Sequence, residues 1–470
     1  MKKRLPIALT LLTCALLMGC DNNGSTITFE PGDTIFENKI IYDTSLEAYD
    51  VHVKLDSDKH ISSITSGRVK TEDGQFGFRD KVLTISGDFM SKIGSGEKSI
   101  VVSFDDNSKK TIDAIFATKV IKTATEFQAI NDNLSGTYVL GNDIDLSSIS
   151  NFEPLGRFYG DEQDVRNEYF HGILEGNGYA IKNAKVYYSS STTSAEDVYN
   201  HNGLFSEECH QDGNNVGLFQ IIGSSGIVRN CTFDNIKVRG RTIVGVVAGN
   251  CSGVIENCLI KDNCTAQMGT HFYDNDCNVG GVAGIVAGSG IISNTISLTK
   301  DIFAPEVFTD YSSDYIGKTG NGWDHTTEGN NTDPTWKYAN VDRPLMNYSS
   351  GSAIDSGSKE LDSNNSQTNG IYAFAGKTWG SITSSYAIAF KQTPYEGQER
   401  DVYFTQTHLA KNKPGSGATD LGSVTDCYTK TLDELKDSSL YASFDNMIWN
   451  IKDNTLPSII CPLIASSISE

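Results

Sequence analysis

The chain is poor in several things at once, and each shortage removes a class of protein. Proline is scarce, 10 residues against 44 glycines, which excludes a Pro-rich or collagen-like fibre and points instead to many tight turns. Histidine is equally scarce: there are eight, none paired at helical spacing for zinc, and HExxH does not occur. The cysteines include no CxxC pair, so a zinc site of that type is not expected, and no metal or cofactor is called. Neither a GxSxG nucleophile elbow nor a Walker-type phosphate loop is present. Basic residues are outnumbered, 38 Lys+Arg against 59 Asp+Glu, for a formal net charge of −21 and a pI near 4.8. Without clustered Lys/Arg the phosphate attraction that drives nucleic-acid or anionic-surface binding is missing, so no nucleic-acid partner is expected. After the N-terminal segment no stretch is apolar for as long as a membrane span requires.

What remains is a globular composition, 38% apolar and 21% charged, in 470 residues. That is too long for one ordinary core and implies several domains or an elongated repeat array.

The N-terminus carries an address. Lys2-Lys3-Arg4 and the apolar run Leu5 to Met18 form a charged n-region and a short h-region, too short to stay as a spanning helix. The run ends in Leu17-Met18-Gly19-Cys20, which resembles the lipobox of bacterial lipoproteins. The resemblance implies a signal peptide over 1–19, cleavage before Cys20 and a membrane anchor through lipid on its thiol. An ordinary secretory signal with an incidental Cys is the alternative. Residues 20–25 read as the lipidated Cys and a polar tether, leaving an extracytoplasmic chain on the cell surface or the periplasmic side.

Residues 26–118 alternate polar and apolar side chains in short runs. Ala48 to Leu55, Ile100 to Phe104 and Thr111 to Ile115 have the period of strands with one buried face, and together they predict a β-sandwich. The run Leu83 to Lys98 resembles the immunoglobulin-like modules appended to bacterial cellulases and scaffold proteins, which implies a carbohydrate-binding role. The module has no Trp, however, and its Phe and Tyr fall mostly at core-facing positions, so a spacer is the competing reading.

Beyond residue 118 the chain repeats. Val216-Gly217-Leu218-Phe219, Val244-Gly245-Val246-Val247 and Val279-Gly280-Gly281-Val282 match one another, and each precedes a second matching run ending in Asn230, Asn257 or Asn294. These asparagines lie 27 and 37 residues apart, and degenerate copies follow at Gly370 to Gly376 and Gly422 to Cys427. The pattern resembles the GLUG-motif repeats of bacterial surface proteins, over most of 119–465. Tyr138 to Leu146 has the look of an opening coil, and Thr431 through Trp449 to Pro457 of a closing segment. A run such as Ile255 to Ile260 cannot bury its apolar face alone, so the repeats predict a β-solenoid of stacked coils. Gly217, Gly245 and Gly280 become structural corner positions, and Asn230, Asn257 and Asn294 are placed to form an amide ladder along the axis. Cys231 and Cys258 are expected in neighbouring coils, and the amphipathic stretch Thr123 to Leu134 is expected to cap the open edge. The fold class is therefore all-β: an immunoglobulin-like β-sandwich followed by a β-solenoid with a long insertion at about 299–368.

The insertion carries Trp323 and Trp336, suited to stacking on sugar rings or anchoring a protein contact; packing against the solenoid is the alternative. Cys264 and Cys277 bracket a polar loop and are the candidate disulfide. Asp143 with Asp145, and Asp274 with Asp276, are the nearest approach to paired carboxylates, and oxygen ligation of Ca²⁺ is one role open to them. Enzymes of the pectin-cleaving β-helix type need Gly-His-Gly and Arg-Ile-Lys, and neither is present. No catalytic residue is named. Two functions follow: a surface-anchored lipoprotein that presents its solenoid for adhesion to a glycan or surface protein, or a carbohydrate-active enzyme on a β-helix scaffold.

Overall fold

The computed structural model describes residues 31–37, 39–157, 168–187, 215–240, 243–268, 278–303, 370–395, 398–402, 404–406, 422–460 and 464–467. Within them the chain is all-β, a two-sheet sandwich followed by a stack of coils.

The sandwich forms because its short strands alternate. One sheet holds Val51–Lys54, Val82–Ile85 and Phe76–Arg79, antiparallel, with Thr34–Phe36 added in parallel beside Val51–Lys54. The other runs Lys39–Asp43, Lys109–Ala117, Gly96–Phe104, Ile61–Ser66 and Val69–Lys70. Ile40, Val53, Leu83, Ile85, Phe89, Ile100, Val102 and Ile115 fill the space between the two sheets and are fully buried. Phe36, Tyr42, Phe89, Phe104 and Phe116 are core residues, and Tyr49, Phe76 and Phe78 pack against that core. The aromatic side chains that a sugar-binding module would display are thus used internally.

In the solenoid each coil repeats the same path. Ile227–Arg229, Val254–Glu256 and Ile291–Ser293 stack in parallel and in register, between Ile173–Glu175 on one side and the strand Ser381–Ile388 on the other. Val228, Ile255, Ile292 and Ile382 all point inward, and stacking joins their faces into one continuous core. Three further sheets complete the circuit: one through Lys237–Gly240 and Thr265–Met268, one through Ile243–Gly245 and Asn278–Gly280, one through Ala248–Cys251 and Ala283–Val286. At Gly217, Gly245 and Gly280 a Cβ would lie 2.3–2.7 Å from the backbone of the adjoining strand, so only glycine allows the close approach.

The recurrent asparagines have a backbone role. Asn230, Asn257 and Asn294 hold φ at 55°, 50° and 46°, and Ser384 and Asp426 take the same left-handed conformation in the later coils. Asn tolerates this region because its short amide bonds locally. The expected amide ladder is not at this corner: Asn230 Nδ2 donates to Glu175 Oε1 at 2.7 Å, and Asn257 Oδ1 accepts from Trp449 Nε1 at 3.2 Å. An amide pair occurs instead at the next corner, where Asn235 Nδ2 donates to Asn183 Oδ1 at 2.8 Å.

The residue after each left-handed corner follows a rule of its own. Cys231, Cys258, Thr295, Ser385 and Cys427 each donate a thiol or hydroxyl to the carbonyl two residues back. The hydroxyls also receive the amide of the preceding coil, Cys258 N on Thr295 Oγ1 at 3.3 Å and Thr295 N on Ser385 Oγ at 3.2 Å. The corner breaks the strand ladder, and these small donors restore the lost pairing.

The first coil is capped, and the closing segment packs elsewhere. Thr123 and Glu126 form a capping box for Ala124–Gln128, a shorter helix than the expected Thr123 to Leu134, and a 3₁₀ turn Ala129–Asp132 continues it. Phe127 and Ile130 enter the first coils' interior beside Phe152. The closing segment, by contrast, runs alongside the stack. Leu435, Tyr441, Phe444 and Trp449 cover the outward side chains Leu259, Ile296, Tyr386 and Ile388. Two boundaries change as a result. Ile464–Ser467, placed by sequence at the end of the solenoid, pairs antiparallel with Thr34–Phe36 and so completes a sandwich sheet. Asp301–Phe303, placed in the insertion, stacks on Thr265–Gln267 as a coil strand, so the interruption begins after Phe303.

The sandwich docks on the flank of the first coils, a closer arrangement than a spacer in series. Val120 and Val139 on the solenoid's outer face belong to the sandwich core, and Val120 N donates to Asp43 Oδ2 at 3.0 Å. Arg229 bridges Glu97 of the sandwich and the buried Glu175 of the adjoining coil, with Lys39 3.5 Å from the same Glu175.

Two outcomes test this account. Thr295→Val removes the acceptor of the buried Cys258 amide while preserving shape, and should cost about 1–3 kcal/mol in urea unfolding, whereas Thr295→Ser should cost less. Burial alone would raise the Glu97 carboxyl, but the hydrogen bond and charge of Arg229, with Lys39, hold it below the usual range. A depressed carboxylate stabilises the fold above its unfolded pKa, so this contribution should be intact near neutrality and lost below about pH 4. Arg229→Met should flatten that acid limb in melts recorded across pH and, by stranding Glu175, lower stability at pH 7 as well.

Candidate functional site

The residues expected to carry chemistry divide into three groups. Cys20, Trp323, Trp336, Asp274, Asp276 and Cys277 lie outside the described residues. Asp143 and Asp145 are described, and both are engaged in corners. Asp143 Oδ1 accepts from Ala180 N at 2.9 Å and its carboxylate pairs with Lys182. Asp145 Oδ1 accepts from Asn183 Nδ2 and Ser147 N, bonds that hold its carboxyl below the usual range. Among the described residues no three His, Cys, Asp or Glu side chains gather as a metal site. The described thiols are free and structural. Cys264, half of the expected disulfide, is a free thiol inside the stack, donating to Phe233 O at 3.4 Å. Burial pushes the Cys251 and Cys264 thiols up to about 12 and the Cys427 thiol up to about 11.

One surface stands apart, on the corner between the sheet of Ala248–Cys251 and the long sheet that follows. Across residues 219–228, 248–255, 283–292 and 375–382 the only charged side chain is Lys377, in a chain with 59 acidic residues. The corner carries His171 in the first coil, then the small residues Ser224-Ser225, Ser252 and Gly288-Ser289, until the coil where Trp379 takes the place. Trp379 is 40% exposed, and Lys377 Nζ lies 4.3 Å from its ring centroid. Ile291, 44% exposed, pairs in register with Ser381, two residues beyond the indole. Ser423 Oγ in the next coil donates to Ser381 Oγ at 3.0 Å.

The same coils expose Tyr428, 52% accessible, with Lys430 Nζ 5.5 Å from its ring. Its stacking partner Tyr386 is buried beneath the closing segment and donates to Asp426 Oδ2 and Leu440 O. Of the described large apolar side chains that are exposed, Leu46 belongs to the sandwich; Ile291, Trp379, Tyr428, Leu432, Met447 and Ile460 belong to the later coils and the closing segment.

Sequence reasoning passed over Trp379. The signal was available: a Trp directly before corner Gly380, where the three preceding coils carry Ser225, Ser252 and Ser289. What the sequence could not show is exposure, since Trp449, also near the end of the chain, is buried.

Comparison with known proteins gives partial likenesses. The chain is 30% identical over 176 residues to Halomucin of Haloquadratum walsbyi, 36% of this chain and 2% of that protein. It is 32% identical over 152 residues, 30% of this chain, to a putative Gly-rich membrane protein of Evansella cellulosilytica, of which 14% is covered. It is 24% identical over 307 residues, 54% of this chain, to the immunoglobulin A1 protease of Streptococcus sanguinis, of which 16% is covered. The chain therefore spans a small part of each relative's length. No family model and no solved structure matches it. Among the described residues no helix is long and apolar enough to cross a membrane.

Mass mapping after alkylation in denaturant, without reductant, should find Cys264 as a thiol. In the native state, alkylation at pH 8 should be slow at Cys231, Cys251, Cys258 and Cys264, all buried, and rapid once urea opens the coils.

Proposed function

We propose that this protein is a surface lipoprotein, anchored through lipid at Cys20, whose solenoid binds a glycan through the strip around Trp379. The observation that carries the reading is the exposed indole of Trp379 at a corner where the three preceding coils carry serine. An exposed indole with hydroxyls beside it offers a sugar ring both an apolar platform and hydrogen bonds. The docked sandwich and the side-on closing segment cover other parts of the outer surface, and no described segment covers this corner. Likeness to a putative Gly-rich membrane protein supports attachment to a membrane. Trp323 and Trp336 extend the proposal as further contacts contributed by the insertion.

The test is a glycan panel read with the purified mature chain and its Trp379→Ala variant. The variant should bind its best glycan about tenfold or more weakly, with an unchanged melting temperature because the indole is exposed. Equal binding by both proteins would overturn the reading. Release of new reducing ends from a bound glycan would replace it with a carbohydrate-active enzyme.

A further inference from the structure

The side chains beside Trp379 form a pattern that narrows the class of glycan, an inference that rests on the reading above. Two rows run along the stack here, one at the corner and one two residues further on. The second row is aliphatic through three coils: Ile227, Val254 and Ile291 pair in register, the first two half-buried and the third exposed. Beside each stands a corner serine, Ser225, Ser252 and Ser289. In the next coil the order inverts. Trp379 takes the corner, and Ser381, paired with Ile291, takes the second row, followed in register by Ser423. The apolar line thus continues from Ile291 to Trp379 by stepping sideways, with hydroxyls first on one flank and then on the other. Ser289 Oγ donates to Ser252 O at 2.7 Å and Ser423 Oγ to Ser381 Oγ at 3.0 Å, which leaves these hydroxyls lone pairs for an incoming donor. Neither row contains a carboxylate. Lys377 Nζ, 4.3 Å from the indole centroid, holds the ring and needs no anion from a ligand.

We infer that this line binds an unbranched, uncharged chain of equatorially linked pyranoses laid along the stack axis. Such a chain has apolar C–H faces and carries its hydroxyls at its edges, the same arrangement as the line and its flanks. Coils rise by about 4.8 Å each, and a β-1,4-linked chain advances by nearly that step per sugar, so successive rings meet successive coils. Ile227, Val254, Ile291 and Trp379 then face about four sugars. A chain of the same shape bearing a carboxylate on every ring is disfavoured, because it approaches a protein of net charge −21 along two rows that hold no cation.

The probes are β-1,4-linked glucose oligomers of two, four and six units, and the tetramer with its C6 positions oxidised to carboxylates, titrated calorimetrically into the full mature chain. The wild type should bind the tetramer about tenfold more tightly than the dimer and the hexamer much like the tetramer, because the apolar line ends. The oxidised tetramer should bind about tenfold more weakly than the neutral one. Ile291→Ser, at an exposed position, should remove the tetramer's advantage while keeping the affinity for the dimer and the melting temperature, whereas Trp379→Ala should weaken all three neutral oligomers. Equal affinity of the wild type for dimer and tetramer, an advantage that survives in Ile291→Ser, or equal binding of the oxidised tetramer would overturn the inference and leave glycan binding in place. Failure of the wild type to bind any of these oligomers would also overturn it, and the wider glycan panel then decides the underlying reading separately.

Discussion

Parallel, in-register stacking of one coil on the next is the constraint from which the rest of this structure follows. A strand of three residues has too little apolar surface to be stable alone, yet Val228, Ile255, Ile292 and Ile382 stacked along one axis make a core with no break. Register has consequences at every position. A corner that bends one coil must bend all of them at the same place, which is why Asn230, Asn257, Asn294, Ser384 and Asp426 share a left-handed backbone despite differing side chains. It also dictates what comes next, because the amides and carbonyls that lose their ladder partners at the bend need a substitute. Cysteine, threonine and serine supply it interchangeably, and the thiols of Cys231, Cys258 and Cys427 act as hydroxyl equivalents in that column.

A stack of coils exposes its outer surface, and this chain covers that surface unevenly. The sandwich lies against the first coils through Val120, Val139 and the Glu97–Arg229–Glu175 cluster. The closing segment lies along the side, and its last strand returns to pair with the first strand of the sandwich. The last described strand is thereby paired with the first, which joins the closing segment to the sandwich. Among the described residues, Trp379, Ile291 and Tyr428 of the later coils stay exposed.

Much of the fold was legible because glycine and asparagine mark the corners and short apolar runs mark the strands. The stacking of Asn230 on Asn257 and of Cys231 on Cys258 follows from the repeat spacing alone, and the pairing of Arg229 with Glu256 confirms it. Details that depend on side chains meeting across the molecule were not legible. The bond between Trp449 and Asn257 joins residues 192 apart in sequence, and no local pattern announces it. The candidate site was read at Trp323 and Trp336 because aromatic residues in a long polar stretch attract notice, while Trp379 sits between two degenerate repeat runs and was not singled out.

The sequence by itself determined the all-β class, the period of the coils and the positions where backbone conformation is forced, since these depend on neighbours in the chain and on a repeat visible along it. Tertiary structure alone decided which outward faces are covered, where the terminal strand goes and which tryptophan meets solvent. Those outcomes depend on how distant segments compete for the same apolar surface: Leu259, Ile296 and Tyr386 are buried because the closing segment folds back over them, and Trp379 is exposed because no described segment covers it.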